Sequence, residues 1–358
     1  MNILFFAGRI RYGGGEKVRN WLAKTFSQNG HNVFYAIPNN KPELLHQLKD
    51  VNLDGCIKVV NYDSSLKKKN IYKYFKQIKA IYKDYQIDLL IYFGGSLVEQ
   101  IVARRQGVKI LLSERFFNGF RPLPSRVLKH LQYRIADGYV FQTPEASKTY
   151  GKRAEHLGTI IPNPIIDKLP EPQFENLRKE IVTAGRLMPQ KDHRTLVSAF
   201  AIFLQKHPDY KLIIYGSGPL KDELLAQMND SHIGDSAEII SGKTNICELE
   251  RGAELFVLSS LAEGMPNALI EAMSVGVQCI STDCPVYGSR MLIQHGRNGY
   301  LVPIGDAEKL AEMMNYAVED KENADKIRRE AIKIRETLEE KKIGKKWIDY
   351  INTFVCYR

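Results

Sequence analysis

Short apolar runs recur through the first half of the chain: NILFFA (2–7), NVFYAI (32–37), DLLIYFGG (88–95), KILLSE (109–114) and GYVFQT (138–143). Most are separated by stretches with apolar residues three and four positions apart. Unbroken apolar runs read as buried strands and the wider spacing reads as helix. Their alternation predicts a parallel sheet covered by helices on both faces. A second series follows: EIVTAGR (180–186), YKLIIYGSG (210–218), AEIISG (237–242), ELFVLSS (254–260) and VQCISTD (277–283). Between the two lies IPNPI (161–165), whose prolines suit neither a helix interior nor a central strand and mark a hinge. From about Lys321 the chain is helical in pattern and highly charged, with Trp347, Ile348, Ile351 and Phe354 spaced to pack a terminal helix onto a domain. The expected fold class is α/β: two doubly wound, Rossmann-like domains, 1–160 and 161–340, with a final helix at 341–358. In such sheets ligands bind beyond the carboxyl ends of the strands.

A length of 358 residues agrees with two cores rather than one. With 44% hydrophobic and 26% charged residues, the composition is that of a soluble globular protein. No stretch approaches the ~18 apolar residues a membrane span needs. The six-residue apolar start gives way to Arg9 and Arg11, which is no secretion signal. Five cysteines are scattered without a CxxC pair and read as reduced thiols of a cytoplasmic protein. Charge changes the picture more. Residues 1–160 hold 26 Lys and Arg against 12 Asp and Glu, whereas the remainder holds 25 against 29. A basic half joined to a mildly acidic one suggests that the first faces a polyanion or an anionic surface.

The chemistry is expected in the strand-to-helix loops. GRIRYGGGEK (8–17) is neither a Walker loop nor a GxGxxG fingerprint. Its glycines bring amides close to a helix start, which suits an anion and equally a tight structural turn. SSLAEGMPNALIEAMSVG (259–276) says more. Glu263 and Glu271 are separated by seven residues, with Gly264, Met265, Pro266, Asn267, Ala268 and Leu269 among those between. Pro266 suits a first helical turn. Glu263 then lies in the loop, Glu271 lies about a turn and a half into the helix, and free amides at Asn267–Leu269 point beside both carboxylates. Amides hold phosphate and carboxylates accept bonds from hydroxyls, a combination that fits a nucleotide sugar. TAGRLMPQKDH (183–193) adds Arg186 and Lys191, two cations for a diphosphate, and YGSGP (215–219) adds a glycine turn at Gly216. No Asp-x-Asp motif and no cluster with metal spacing occurs, so no metal or other cofactor is expected. Cations and a helix N-terminus, worth about 0.3–1 kcal/mol at the surface and up to ~2 when partly buried, are left to meet the leaving diphosphate.

These residues resemble glycosyltransferase family 4 (group 1), the retaining GT-B enzymes of bacterial surface-polysaccharide assembly. The resemblance spans nearly the whole chain: the glycine loop, the GR…K pair, GSGP, the two glutamates and HGRNGYLVP (295–303). It implies two Rossmann-like domains facing a cleft, a nucleotide sugar held mainly by the second, and a terminal helix returning to the first. By the resemblance Glu271 holds the ribose, while Glu263 binds hydroxyls of the transferred sugar and stabilises developing charge. Arg186 and Lys191 hold the diphosphate, and Gly14 and Gly15 close on it from the other domain. Ser241, Gly242 and Lys243 contact the base, with uridine the default. Transfer with retention is implied, the leaving phosphate taking the proton of the incoming hydroxyl in a front-side displacement. Two positions depart from the family pattern: Met291 stands where a Glu is frequent, and SERFFNGFRP (113–122) lacks the histidine frequent near the acceptor. Glu114 and Arg115 occupy that ground as acceptor-side candidates, and His193 is expected to fix a loop rather than transfer a proton.

KKKNIYKYFKQIKAIYKDYQ (67–86) places Ile71, Tyr74, Phe75, Ile78, Ile81, Tyr82 and Tyr85 at helical spacing, with Lys73, Lys76, Lys79 and Lys83 between them. Part of this stripe packs against the first sheet, while lysines and exposed tyrosines suit an anionic lipid surface. Arg104, Arg105 and Lys109 add to the charge. The expected partners are thus a nucleotide sugar, a glycan or polyprenyl-diphosphate-linked acceptor, and the inner face of the cytoplasmic membrane. An epimerase or phosphorylase with a similar cleft is the alternative from another class, separated by whether the nucleotide sugar alone is isomerised. A basic nucleic-acid-binding protein explains the charge but not two carboxylates beside a phosphate loop, so no nucleic acid is expected.

Overall fold

The computed structural model describes residues 1–10, 13–94, 96–113, 115, 123–166, 168–242 and 245–356. The chain divides into two compact units, Met1–Ile166 with Glu340–Arg358, and Asp167–Glu339. In the first, seven parallel strands lie in the order β3-β2-β1-β4-β5-β6-β7. They are β1 (Asn2–Phe6), β2 (Asn32–Pro38), β3 (Lys58–Tyr62), β4 (Leu89–Tyr92), β5 (Lys109–Ser113), β6 (Gly138–Phe141) and β7 (Gly158–Ile160). β1 is central because Ile3, Leu4 and Phe5 are fully buried. Ile3 pairs with Val33 on one side and Leu89 on the other. Strand order reverses between β1 and β4, which opens a crevice at their carboxyl ends.

The second unit repeats the arrangement with six strands in the order β10-β9-β8-β11-β12-β13. These are β8 (Arg178–Ala184), β9 (Lys211–Tyr215), β10 (Ala237–Ile240), β11 (Ala253–Leu258), β12 (Gln278–Thr282) and β13 (Tyr300–Val302). β11, the continuous run AELFVL, is buried at every position, as a strand covered on both faces must be. Phe200 and Phe203 of the His193–Leu204 helix pack with Leu212, Ile214, Leu255 and Val257 in one core. The reversal here falls between β8 and β11.

Three strands were not expected from the pattern: β3, β7 and β13. Each is the edge of its sheet. β3 alternates buried and exposed residues, and β7 and β13 have three residues each. An edge strand needs only one covered side and therefore carries no long apolar run. The stretch 67–86 also differs from a single helix. Asn70 breaks it, its backbone extended and its side chain accepting from the Lys73 amide at 2.9 Å, so that Ile71–Asp84 starts afresh. Tyr74, Ile78, Ile81 and Tyr82 face the core, whereas Ile71, Tyr72 and Tyr85 face solvent.

The terminal helix Glu340–Cys356 completes the first unit. Ile343, Trp347 and Ile351 are fully buried, and the Trp347 ring meets Phe26 edge-on at 6.4 Å. Trp21 Nε1 donates to Glu340 Oε1 at 2.8 Å. Gly138 is required beneath this helix, because a Cβ there would lie 2.4 Å from the Phe354 ring. Trp347→Ala is expected to cost about 3–5 kcal/mol, as large-to-small changes in a close-packed core do. A urea titration should show the lowered midpoint, with Leu45→Ala on the surface unchanged; equal midpoints for the two variants would contradict this packing.

Candidate functional site

The loops after β8 and β9 cross in backbone contact. A Cβ on Gly216 would sit 2.0 Å from the Gly185 carbonyl oxygen, and one on Gly218 would sit 2.4 Å from that of Leu187. The Leu187 amide donates to Ser217 O at 3.0 Å, fixing the crossing. Past it the chain makes a short 3-10 turn, Pro189–Lys191. Asp192 follows in the left-handed region at φ 46°, and its carboxylate accepts from the Thr195 hydroxyl at 2.7 Å to start the next helix. Arg186 is thereby left exposed at the strand end.

The 3-10 turn is then fastened to the loop after β11. The Leu261 amide donates to Gln190 O at 2.9 Å, Gln190 Nε2 to Ala262 O at 2.7 Å, and Ser259 Oγ to Lys191 O at 3.0 Å. These bonds leave the Lys191 stem lying over Gly185, with its ammonium at Glu263. Lys191 Nζ donates to Glu263 Oε1 at 2.6 Å, and Ser260 Oγ donates to the same oxygen at 2.7 Å. Both side chains are largely out of water, at 15% and 10% exposure. The Glu263 main chain exchanges bonds with the next loop: its amide donates to Pro285 O at 2.8 Å, and the Val286 amide donates back at 3.1 Å. Burial and the Glu263 charge push the neighbouring Cys284 thiol up to about 12.

Gly264 and Met265 lie directly on Gly288, where a Cβ would stand 1.8 Å from the Gly264 carbonyl oxygen. The Asn267–Ser274 helix follows, with Pro266 at its N-cap. Proline has no side-chain acceptor to offer the first-turn amides of Asn267, Ala268 and Leu269. Glu271 is half-buried in this helix. Beside it stands Glu250, fully buried, whose carboxyl is held well above the usual range by that burial and by the Glu271 charge. Ser241 Oγ bonds Gly216 O at 2.8 Å, which ties the end of β10 to the same loops, and Gly242 is exposed next to it.

Arg186, Lys191, Gly216, Ser241, Gly242, Glu263 to Leu269 and Glu271 thus all belong to the second unit, in the loops after β8 to β11 and the helix that follows. Ser260, Glu250 and Gly288 join them without having been singled out from sequence. Their signal is contact across the fold, not spacing along the chain. Lys243 and Glu114 lie outside the described residues. In the first unit Gly14 and Gly15 open the Gly14–Gln28 helix behind Gly13, whose φ of 102° only glycine adopts readily. Arg115 bonds Asn163 Oδ1 and, at 3.1 Å, Ser113 Oγ. Among the described residues no group of three or more His, Cys, Asp and Glu side chains is placed to hold a metal ion.

Residues 166–334 match the family of glycosyl transferases group 1. Along most of the chain there is likeness to an uncharacterised glycosyltransferase of Haemophilus influenzae, 27% identical over 87% of this chain and 88% of that one. A relative from Campylobacter jejuni, an N-acetylgalactosamine-N,N'-diacetylbacillosaminyl-diphospho-undecaprenol 4-alpha-N-acetylgalactosaminyltransferase, is 30% identical over 42% of this chain and 39% of its own length. The crystal structure of Anabaena HepE in complex with UDP and glucose superimposes with a TM-score of 0.80 at 17% identity, covering 99% of this chain and all of that one. The fold is GT-B.

His193, behind Lys191, is buried, and desolvation followed by the Lys191 charge pushes its pKa down from 6.5 to about 4. The imidazole is therefore neutral at ordinary pH and suits a structural place rather than proton transfer. The unfolded chain takes up a proton that the folded one refuses. Stability is thus complete above about pH 6.5 and falls as the pH drops toward 4, by about 1.4 kcal/mol per unit. His193→Gln is expected to flatten that acid slope in urea titrations across the same window; identical slopes would contradict it.

Proposed function

We propose that the protein is a retaining glycosyltransferase that moves a hexose or N-acetylhexosamine from a UDP-sugar to a glycan or polyprenyl-diphosphate-linked saccharide. The observation that carries this is the buried contact of Lys191 with Glu263 beside an uncapped helix start, in the unit that matches the group 1 family. An ammonium has three donors. One is taken by Glu263 Oε1, which leaves the others for phosphate oxygens. Arg186, exposed at the neighbouring strand end, and the first-turn amides at Asn267–Leu269 supply further positive charge. Glu263 accepts from hydroxyls of the sugar and Glu271 from the ribose, while Ser241 and Gly242 meet the base.

In the reaction the acceptor hydroxyl oxygen bonds to the anomeric carbon as the bond from that carbon to the diphosphate breaks. The hydroxyl proton passes to the departing phosphate, so no side chain has to act as base. Negative charge grows on the leaving group, and cations already in place stabilise it without reorganisation. The reading gives no part to a metal or other cofactor. The UDP and glucose bound to the Anabaena protein and the diphospho-undecaprenol acceptor in the Campylobacter enzyme's name support it.

The acceptor side carries the basic surface. Lys67, Lys68, Lys69, Lys73, Lys76, Lys79 and Lys83 are all exposed, and so are Ile71 and Tyr72. Each lysine near anionic lipid contributes about 1 kcal/mol. No described helix is long and apolar enough to cross a membrane. Work at the inner face of the cytoplasmic membrane therefore rests on this surface. Binding to phosphatidylglycerol vesicles is expected to exceed binding to neutral ones and to fall when Lys67, Lys68 and Lys69 become Gln; equal partition would count against it.

The activity is tested first by thermal shift against nucleoside diphosphates and their sugars, since a ligand at 100 times its Kd adds about 2.7 kcal/mol to the folded state. Glu263→Ala and Lys191→Ala are then each expected to lower turnover about 100-fold or more, the scale for losing charge stabilisation in a reaction centre. Full turnover in either would overturn the assignment. An isomerised sugar from UDP-sugar alone would make the protein an epimerase instead.

A further inference from the structure

We infer that the first unit contains a pocket built to hold a phosphate group of the acceptor, gripped by Arg19 with Arg9 and Arg115. The inference rests on the glycosyl-transfer reading and adds to it the side chains that meet a phosphate of the acceptor. A cavity of about 260 Å³ opens at the carboxyl ends of β1 and β4, where the strand order of the first sheet reverses. Arg9, Gly15, Glu16, Arg19, Gly94 and Arg115 contribute to its lining. The switch point of a doubly wound sheet is where such folds take ligands.

Arg19 is the unusual member. It is 6% exposed, yet among the described residues it pairs with no carboxylate. One guanidinium N–H donates to the Arg9 carbonyl, and the Nε–H is buried without an acceptor. The guanidinium also lies 5.5 Å from the centre of the Tyr35 ring, whose hydroxyl bonds both Arg19 and, at 3.1 Å, Asn20 Oδ1 but supplies no counter-charge. A buried cation without a counter-charge is unfavourable unless an anion arrives to complete it. Arg115 lies over the Phe93 and Trp347 rings at 5.3 and 5.9 Å, so its charge too is held in place by packing. The Gly14–Gln28 helix begins at this cavity, and Gly15 in its first turn lines it without a side chain to obstruct an anion. Among the described residues Glu16 is the one carboxylate in the lining, beside Arg9, Arg19 and Arg115, so the lining is predominantly basic and suits a phosphate monoester or diphosphate.

The same chemistry could be brought by the sugar nucleotide or by the acceptor. The acceptor is favoured because the second unit already has Arg186, Lys191 and a helix start for the nucleotide's phosphates. The excess of Lys and Arg moreover lies in residues 1–160.

The test uses the full chain and inorganic pyrophosphate as probe, in thermal shift and titration calorimetry, with and without saturating UDP. Pyrophosphate is expected to bind and to raise the melting temperature further when UDP is already saturating. Arg19→Gln should weaken that second binding at least about tenfold, one lost charge-assisted contact, while leaving the UDP shift intact. Arg9→Gln, at an exposed position, should weaken it less and keeps the test open if Arg19→Gln fails to fold. If UDP abolishes pyrophosphate binding, the pocket serves the nucleotide and the inference fails. It fails also if UDP-saturated protein takes up no pyrophosphate, or if both variants bind it as the parent does. Absence of any UDP shift would instead refute the glycosyl-transfer reading and is read separately.

Discussion

Lys191 and Glu263 stand 72 residues apart in sequence and 2.6 Å apart in the fold. Everything else in the second unit's site follows from that approach. A charged pair mostly out of water is stable only when its geometry is good and its remaining polar atoms are met. Here the Ser260 hydroxyl meets the shared carboxylate oxygen. Three further bonds lock the Pro189–Lys191 turn onto the loop after β11. The glycines serve the same end. Gly216 and Gly218 let the loop after β9 lie against the backbone at 185–187, and Gly288 lets 264–265 settle on the loop after β12. A side chain at any of these points would move one wall of the site by more than a hydrogen bond tolerates.

The two units solve different electrostatic problems. In the second, the cation is paired and the carboxylate fixed before any ligand comes, which keeps reorganisation small. In the first, Arg19 is buried and, among the described residues, pairs with no carboxylate, and lysines crowd the surface from Lys67 to Lys83. Glu250 adds a further element to the second: a buried carboxyl whose pKa is held well above the usual range by that burial and by the Glu271 charge beside it.

Much of this was legible in the residues. Nine strands announced themselves because burial on both faces demands unbroken apolar runs, and the edge strand β10 showed through the apolar pair in AEII. β3, β7 and β13 did not, because an edge needs cover on one side only. The lysine-rich stretch looked like one helix from its spacing; Asn70 breaks it through a local hydrogen bond that spacing does not encode. In the site, Glu263, Lys191, Arg186 and the Pro266 helix start could be read from motifs in single loops. Ser260, Glu250 and Gly288 could not, since each acts through a neighbour distant in the chain or through the absence of a side chain. The same holds for Arg19, whose place on an ordinary helical stripe conceals that its charge is buried.

The central claim is that the second unit grips a doubly charged leaving group with Lys191 while Glu263 holds the attached sugar. A crystal structure of the protein with a bound, non-hydrolysable UDP-sugar tests it most directly. The account predicts phosphate oxygens at about 3 Å from Lys191 Nζ, a normal charge-assisted hydrogen bond, and sugar hydroxyls on Glu263. A nucleotide sugar seated away from the ends of β8 and β11, with the Lys191–Glu263 contact untouched by ligand, would contradict it.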